Sequence, residues 1–420
     1  MAGSKPRRFR IVLGVTGSIA CYKAVDLARY FIKRGANVRV VMTESATRFV
    51  SPLTFQSLTH NPVAQSFWTE GDSGSIGHIE LADWAEAFVI APATADSIAK
   101  LAMGSAESSL LATALATKAP IIIAPAMNSN MLSHPQTQEN LTTLQGRGYE
   151  VVEPDSGLLA CGWTGSGRLA SNREIYVKTM RALGPADLLG KRVVISAGPT
   201  REMIDPVRYI SNRSSGKMGL ALANEAYRRG AVVTLIHGPM AGVASLSKDV
   251  TTVSVTSAAE MGEAIKTHAA GAQGAPRADV TIMAAAVADY RPVAERPQKI
   301  KKASFTPTID LIENEDILKS LGMEHARRDG ALLVGFAVET GTVEELLSEA
   351  RSKLARKGAD MIIANRAEDA FDKTTNQVWI VSGDTPPLHI ETTSKKSIAT
   401  AILDQVVARL RKRSGVELAH

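Results

Sequence analysis

A chain of 420 residues is longer than a single ordinary hydrophobic core organises, so two domains are expected. With 45% hydrophobic and 21% charged residues it carries enough apolar surface to offset chain entropy, which excludes a largely disordered protein. The formal charge of +6 gathers at residues 5–10, 299–302 and 409–413 against 42 acidic side chains overall, a pattern suited to small anionic partners rather than to a nucleic acid, which calls for a continuous basic surface.

The first half opens with an apolar run at 11–15 that leads through Thr16, Gly17 and Ser18 into a helical pattern ending near Arg34, followed by a second run at 38–41. Strand, loop, helix, strand is the economical reading. Further strands are predicted at 88–90, 121–124 and 149–152, and their alternation with helical segments predicts a mainly parallel sheet. A helix end followed by Gly184 and Pro185 marks the boundary, giving domains 1–187 and 188–420. The second half repeats the plan, with strands predicted at 193–196, 232–236, 280–284, 332–336 and 361–363 and a helix over 217–229. Its first crossing differs by a long polar loop at 198–216, a candidate substrate-handling segment because such connections are normally short.

Chemistry concentrates where these predicted strands end. Gly17 permits a tight turn after the first strand, and Ser18 with the first helical amides can hold a phosphate. The segment is neither GxGxxG nor a P-loop, so a mononucleotide such as FMN fits better than a dinucleotide or ATP; an ordinary turn and helix cap is the plainer alternative. Pro92 and Pro125 stand immediately beyond predicted strands and bring Thr94 and Asn128 to the same sheet edge. His78, at the entrance of a predicted helix, can exchange a proton near neutrality, or can be structural. Cys161 lies in a stretch containing Gly162, Gly165 and Gly167, where a covering loop could present a proton-donating thiol; Cys21, inside the first helix, reads as a small packing residue.

The joint occurrence of GSIA, HIEL, APATA, PAMN and CGWTGSGRLA over residues 10–170 closely resembles the flavin-dependent phosphopantothenoylcysteine decarboxylases. The resemblance implies a flavoprotein-like Rossmann-type domain, bound FMN, and loss of carbon dioxide from 4'-phosphopantothenoylcysteine. It makes His78 the base, Asn128 the group that holds the substrate carboxylate, and Cys161 the acid that protonates the enethiol intermediate. The cofactor-binding set is Gly17, Ser18, Ile19, Thr43, Thr94 and Met127. Asp96 departs from the family asparagine, retaining an acceptor and losing an amide donor.

In the second half, Ser214, Ser215 and Gly216 can direct donors at an anion, whereas Lys217 lacks the glycine pattern and following Ser/Thr of a P-loop, so kinase activity is not expected. Lys299, Lys301 and Lys302 crowd three ammonium groups whose repulsion a polyphosphate or acyl phosphate would relieve; a solvated basic turn is the alternative. Lys353 and Lys357 share a helical face, toward the same anion or toward water. ISNRSSGKMG, AAAVADYRP with KIKK, GFAVET and GADMIIAN together resemble the phosphopantothenate-cysteine ligases over 190–405. That resemblance implies a second Rossmann-like domain in which CTP activates the phosphopantothenate carboxylate as an acyl-cytidylate before cysteine attacks. Asn212 then handles the acyl-cytidylate, Lys299 stabilises its formation, Asp289 holds the cytidine nucleotide, and Phe336, Lys353 and Lys357 belong to the nucleotide site. Mg2+ is expected on electrostatic grounds, with unknown ligands.

Taken together the sequence reads as an α/β protein of two mainly parallel-sheet domains, a lyase and a CTP-dependent ligase of coenzyme A biosynthesis. The alternative is a non-catalytic flavin- or nucleotide-binding sensor, which would not require Cys161, His78 or the lysine run. The families imply a homo-oligomer, a dodecamer built from decarboxylase trimers and ligase dimers. The start shows no apolar run with a cleavage pattern, no segment has roughly twenty uninterrupted apolar residues, and two cysteines make neither a disulfide framework nor a zinc site, so a soluble cytoplasmic protein is expected, without nucleic-acid or membrane partners.

Overall fold

The computed structural model describes residues 8–66, 77–271, 276–300, 308–325, 331–370, 373, 375–383 and 385–413. The chain forms two compact units, Met1–Gly184 and Pro185–His420. Both are α/β units built on Rossmann-like parallel sheets.

In the first unit, β1 (Arg10–Val15), β2 (Asn37–Met42), β3 (Val63–Ala64), β4 (Ala87–Ala93), β5 (Ile121–Pro125) and β6 (Glu150–Val151) form one parallel sheet in the order β3-β2-β1-β4-β5-β6. The apolar runs have their cause in burial on both faces. Ile11, Leu13 and Val15 of β1 pack with Leu27 and Phe31 of the helix Cys21–Lys33, while Val12 packs with Phe88, Ile98 and Leu110 on the other side. Each such side chain, removed from water, contributes about 1.5–3 kcal/mol. Gly14 interrupts β1 because a Cβ there would stand 3.0 Å from the Phe88 ring and 3.1 Å from Leu110.

Two expectations are corrected here. Pro92 and Pro125 lie inside the strand ends rather than beyond them, since β4 runs to Ala93 through a cis Ala91–Pro92 bond and β5 includes Pro125. Proline lacks an N–H but keeps its acceptor, and the Pro92 carbonyl takes the Thr16 N–H at 3.3 Å and the Thr16 hydroxyl at 2.7 Å. Nor is the segment around Cys161 an irregular loop. It is the tip of an antiparallel ribbon, β7 (Asp155–Leu158) with β8 (Thr164–Arg168), whose glycines remove the side-chain alternation that would announce a strand.

The second unit contains β9 (Arg192–Ala197), β10 (Arg201–Met203), β11 (Tyr209–Ser211), β12 (Val232–His237), β13 (Thr251–Ser254), β14 (Val280–Met283), β15 (Tyr290–Pro292), β16 (Leu311–Glu313), β17 (Leu332–Glu339), β18 (Met361–Arg366), β19 (Thr375–Ser382) and β20 (Thr385–Ser394). Eight of them form a sheet in the order β13-β12-β9-β14-β17-β18-β19-β20, parallel as far as β18 and antiparallel across β18-β19-β20. The polar insertion at 198–216 is largely structured, because β10 and β11 pair as a ribbon with Glu202 opposite Ile210. Glu202 is buried and accepts the Ala258 N–H at 2.9 Å, which fastens the ribbon to the start of the helix Ala258–Ala270. No described helix is long and apolar enough to cross a membrane.

Candidate active sites

The first site is assembled by strand ends that hold one another. Fully buried Thr16, just past β1, donates its hydroxyl to Pro92 and accepts the Thr94 N–H at 3.1 Å, tying the end of β1 to the end of β4. The Ala126 N–H then reaches the Ala93 carbonyl at 3.0 Å, adding the end of β5. Gly17 has no room for a side chain, since a Cβ would overlap that of Ser45. Ser18 accepts the Ala20 N–H at 3.1 Å at the entrance to the helix Cys21–Lys33, Thr43 caps the helix Glu44–Thr47, and Thr94 caps the helix Ala95–Met103.

Two neighbouring cavities result. One of ≈ 690 Å³ is lined by Gly17, Ser18, Thr43, Thr94 and Met127, five of the six sequence-predicted cofactor residues. The other, of ≈ 510 Å³, is lined by Ser18, Ile19, Met127, Asn128 and Cys161. Ser18, Ala126 and Met127 border both, so the thiol stands beside the space in which a flavin would be held. Cys161 is exposed at the ribbon tip, where Asn128 Nδ2 donates to its Sγ at 3.4 Å. Hydrogen bonding from the Trp163 main chain, and then from Asn128, draws the thiol pKa below its ordinary value by favouring the thiolate. Asn128 also accepts the Asn130 N–H at 2.8 Å, which fixes its amide orientation.

The ribbon is seated by glycine. Gly167 lies at φ +129° and its Cβ would overlap the Met127 carbonyl, while the Met127 N–H donates to Gly167 O at 3.0 Å. Cys21 is buried and donates its thiol to Thr16 O at 3.0 Å, with burial raising its pKa, which leaves it a part of the loop's support. His78 begins the helix Gly77–Trp84, half-buried, and does not line either cavity. Sequence reasoning missed Lys100, whose ammonium in the larger cavity bridges Asp96 at 3.1 Å and Glu107 at 2.5 Å. The Asp96 carboxylate that replaces the family asparagine thus has a local cation, and the i to i+4 spacing of Asp96 and Lys100 was the available signal.

In the second unit a cavity of ≈ 510 Å³ brings together Asp289, Phe336, Lys353 and Lys357, four of the predicted nucleotide residues. Lys353 donates to the Phe336 carbonyl at 2.9 Å, and Lys357 pairs with Asp316. Burial holds both ammonium groups below the usual lysine range, opposed at Lys353 by the charges of Glu339 and Asp289 and at Lys357 by Asp289. Asn212 stands at the rim, its amide donating to the Val287 carbonyl at 2.8 Å, and Val287 lines the cavity. Lys299 is exposed on the chain preceding Ile300 and is not among the lining residues; Lys301 and Lys302 lie outside the described residues. The stretch Glu313 to Leu318, which also lines the cavity, carried no motif in the sequence.

A thiol and amide cavity on one Rossmann-like unit and a lysine-bearing cavity on another define a two-unit α/β enzyme, a flavoprotein module followed by an anion-handling module. Residues 2–184 match the flavoprotein family model and residues 188–410 the model of the DNA/pantothenate metabolism flavoprotein C-terminal domain. The chain is 42% identical to a coenzyme A biosynthesis bifunctional protein CoaBC of Mycolicibacterium smegmatis, over 97% of this chain and 99% of that protein. It is 44% identical to the one of Vibrio cholerae (94% and 96%) and 42% identical to the one of Bacillus subtilis (96% and 98%). The chain belongs to this family of bifunctional coenzyme A biosynthesis proteins. It is an enzyme of two activities, ligation of phosphopantothenate to cysteine and FMN-dependent decarboxylation of the product.

Proposed function

We propose that the carboxy-terminal domain (188–420) activates the carboxylate of 4'-phosphopantothenate with CTP, releasing pyrophosphate. Cysteine's amine then displaces CMP from the acyl-cytidylate, and the amino-terminal domain (1–187) decarboxylates the resulting 4'-phosphopantothenoylcysteine. The observation that carries this reading is the chemical segregation of the cavities: a thiol held by an amide in one unit, lysines converging with Asp289 in the other.

The first unit suits FMN on its own residues. Gly17 leaves an open cradle, Ser18 and the amides entering the helix Cys21–Lys33 suit a phosphate, and Ile19, Thr43, Thr94 and Met127 surround the remaining space. FMN, when bound, supplies the reversible oxidation of the substrate thiol that makes carbon dioxide loss possible. The chain's own residues do the rest. Asn128 donates its amide to the substrate carboxylate, and Cys161, whose thiol is already drawn toward ionisation, delivers a proton to the enethiol intermediate. His78 acts as the base. Because it does not line the Cys161 cavity of its own unit, we assign it to a subunit contact, in keeping with a homo-oligomer built from decarboxylase trimers and ligase dimers into a dodecamer.

In the second unit, Asp289, Phe336, Lys353 and Lys357 hold the cytidine nucleotide, Asn212 orients the acyl-cytidylate, and Lys299 neutralises charge as it forms. Mg2+ is included on electrostatic grounds, since a divalent ion offsets the charge of the triphosphate and orients its leaving group. The dependence on CTP and the two unpaired thiols suit a reducing cytoplasm. Purified protein given phosphopantothenate, cysteine, CTP and Mg2+ is expected to release CMP, pyrophosphate and carbon dioxide in equal amounts. CMP and pyrophosphate without carbon dioxide would remove the decarboxylase half; neither set of products would remove the whole reading. A flavin absorption spectrum tests the first unit separately.

A further inference from the structure

The loop joining β10 to β11 contains a carboxylate used more heavily than its turn requires. Asp205 has a side chain with no solvent exposure. Its Oδ1 accepts the N–H groups of Val207 and Arg208, both at 2.9 Å, which is enough to close the turn. Its Oδ2 accepts Arg208 Nε at 3.0 Å and, outside the turn altogether, the Ile300 N–H at 3.1 Å. Arg208 Nη2 then donates to the Ile300 carbonyl at 3.0 Å, so one ion pair holds both main-chain polar groups of Ile300. Four residues earlier the Arg296 N–H donates to the Ile204 carbonyl at 2.9 Å. The segment from 296 to 300 is thereby fastened at two points to the 204–208 loop, with exposed Lys299 between them. The same ribbon continues through β11 into Asn212, whose amide meets the cavity rim at Val287.

We infer that Asp205, with Arg208, is a positioning pair that sets the Lys299-bearing segment against the β10–β11 ribbon and so governs the rate of acyl-cytidylate formation. This rests on the role proposed above for Lys299. Both residues assigned to the acyl-cytidylate are then carried on one ribbon, Asn212 by its strand and Lys299 by the Asp205 clamp. A buried carboxylate is costly without a partner, and Arg208 supplies the charge that lets Asp205 spend an oxygen on Ile300.

The test uses the full-length protein with phosphopantothenate, CTP and Mg2+ but without cysteine, reading pyrophosphate release in a single turnover and its dependence on CTP. Asp205→Asn is expected to lower the maximal rate about tenfold while changing half-saturation by CTP by less than about twofold, as small misplacements of a catalytic group do. Combined with Lys299→Gln, it should add no further loss, because the clamp acts through the lysine. Arg208→Lys, which keeps the charge and gives up the fork that reaches Ile300, should show the same non-additivity with a smaller loss, and it serves if Asp205→Asn fails to fold. Losses that multiply in the double variant, or a wild-type rate in Asp205→Asn, would overturn the clamp and leave the lysine's role standing. A wild-type rate in Lys299→Gln alone would overturn the lysine's role, and the clamp's purpose with it.

Discussion

The two cavities handle charge in opposite ways. In the first unit the reacting group is a thiol at a ribbon tip, and hydrogen bonds from Trp163 and Asn128 draw it toward the thiolate. In the second unit the reacting partner is itself a polyanion, and the protein holds its lysines half-buried, Lys357 against Asp316 and Lys353 against a main-chain carbonyl. A group that only delivers a proton needs a modest bias, whereas a group that binds a triphosphate must be kept cationic in a partly dry place and surrendered to the ligand on arrival. The difference teaches that under the proposed function the second cavity must trade its local lysine contacts for those of the nucleotide.

The sharpest way to break this contrast is Cys161→Ser. Carbon dioxide release is expected to fall about 10²–10³-fold, the size of a lost general acid, while the flavin spectrum and CTP-dependent pyrophosphate release stay at wild-type levels. Undiminished carbon dioxide release would take the proton from another group. Next in size is Gly17→Ala, which drives a methyl group into Ser45; a stability cost of about 1–3 kcal/mol and loss of bound flavin are expected, read from calorimetry and from flavin content. Retention of full flavin content would show that the cradle tolerates a side chain.

Lys353→Met should raise the CTP concentration for half-saturation about tenfold, the value of one charge-assisted contact, without touching decarboxylation. The pH dependence has a definite sign. Burial lowers the Lys353 pKa, so its contribution to CTP affinity is complete below that lowered pKa, begins to decline above it, earlier than for an ordinary lysine, and is lost once pH passes the higher pKa the ammonium has against bound triphosphate. Binding in that range takes up a proton, and Lys353→Arg should remove the Lys353 share of the alkaline decline and leave that of Lys357. The smallest effect is expected of Asn128→Ala, which removes one hydrogen bond from the Cys161 sulfur. The thiol pKa should rise, slowing alkylation by iodoacetamide near neutrality about 2–10-fold; an unchanged alkylation profile would detach the amide from the thiol.

Much of this was legible before any coordinates. Apolar runs such as 11–15 and 193–196, alternating with helical patterns, read as buried parallel strands, and Gly17, Thr94, Asn128 and Asp289 stand out because they follow such runs. The i to i+4 spacing of Lys353 and Lys357 likewise led to one cavity. What escaped has physical causes. The β7–β8 ribbon is built on glycine and shows no alternation, and β10 and β11 are only three residues each, so neither registers as strand. Pro92 was placed too late because its carbonyl, invisible to residue type, continues the edge. His78 and Lys299 take their expected roles from short motifs, and a motif does not say which cavity a side chain lines.

The Thr16 bridge couples two strand ends of the first unit through a single hydroxyl. Its hydroxyl is buried and engaged on both sides, by Pro92 and by Thr94, with protein atoms only. The joint between the ends of β1 and β4 is therefore made by the chain's own hydrogen bonds, and a substitution of Thr16 would loosen both strand ends at once.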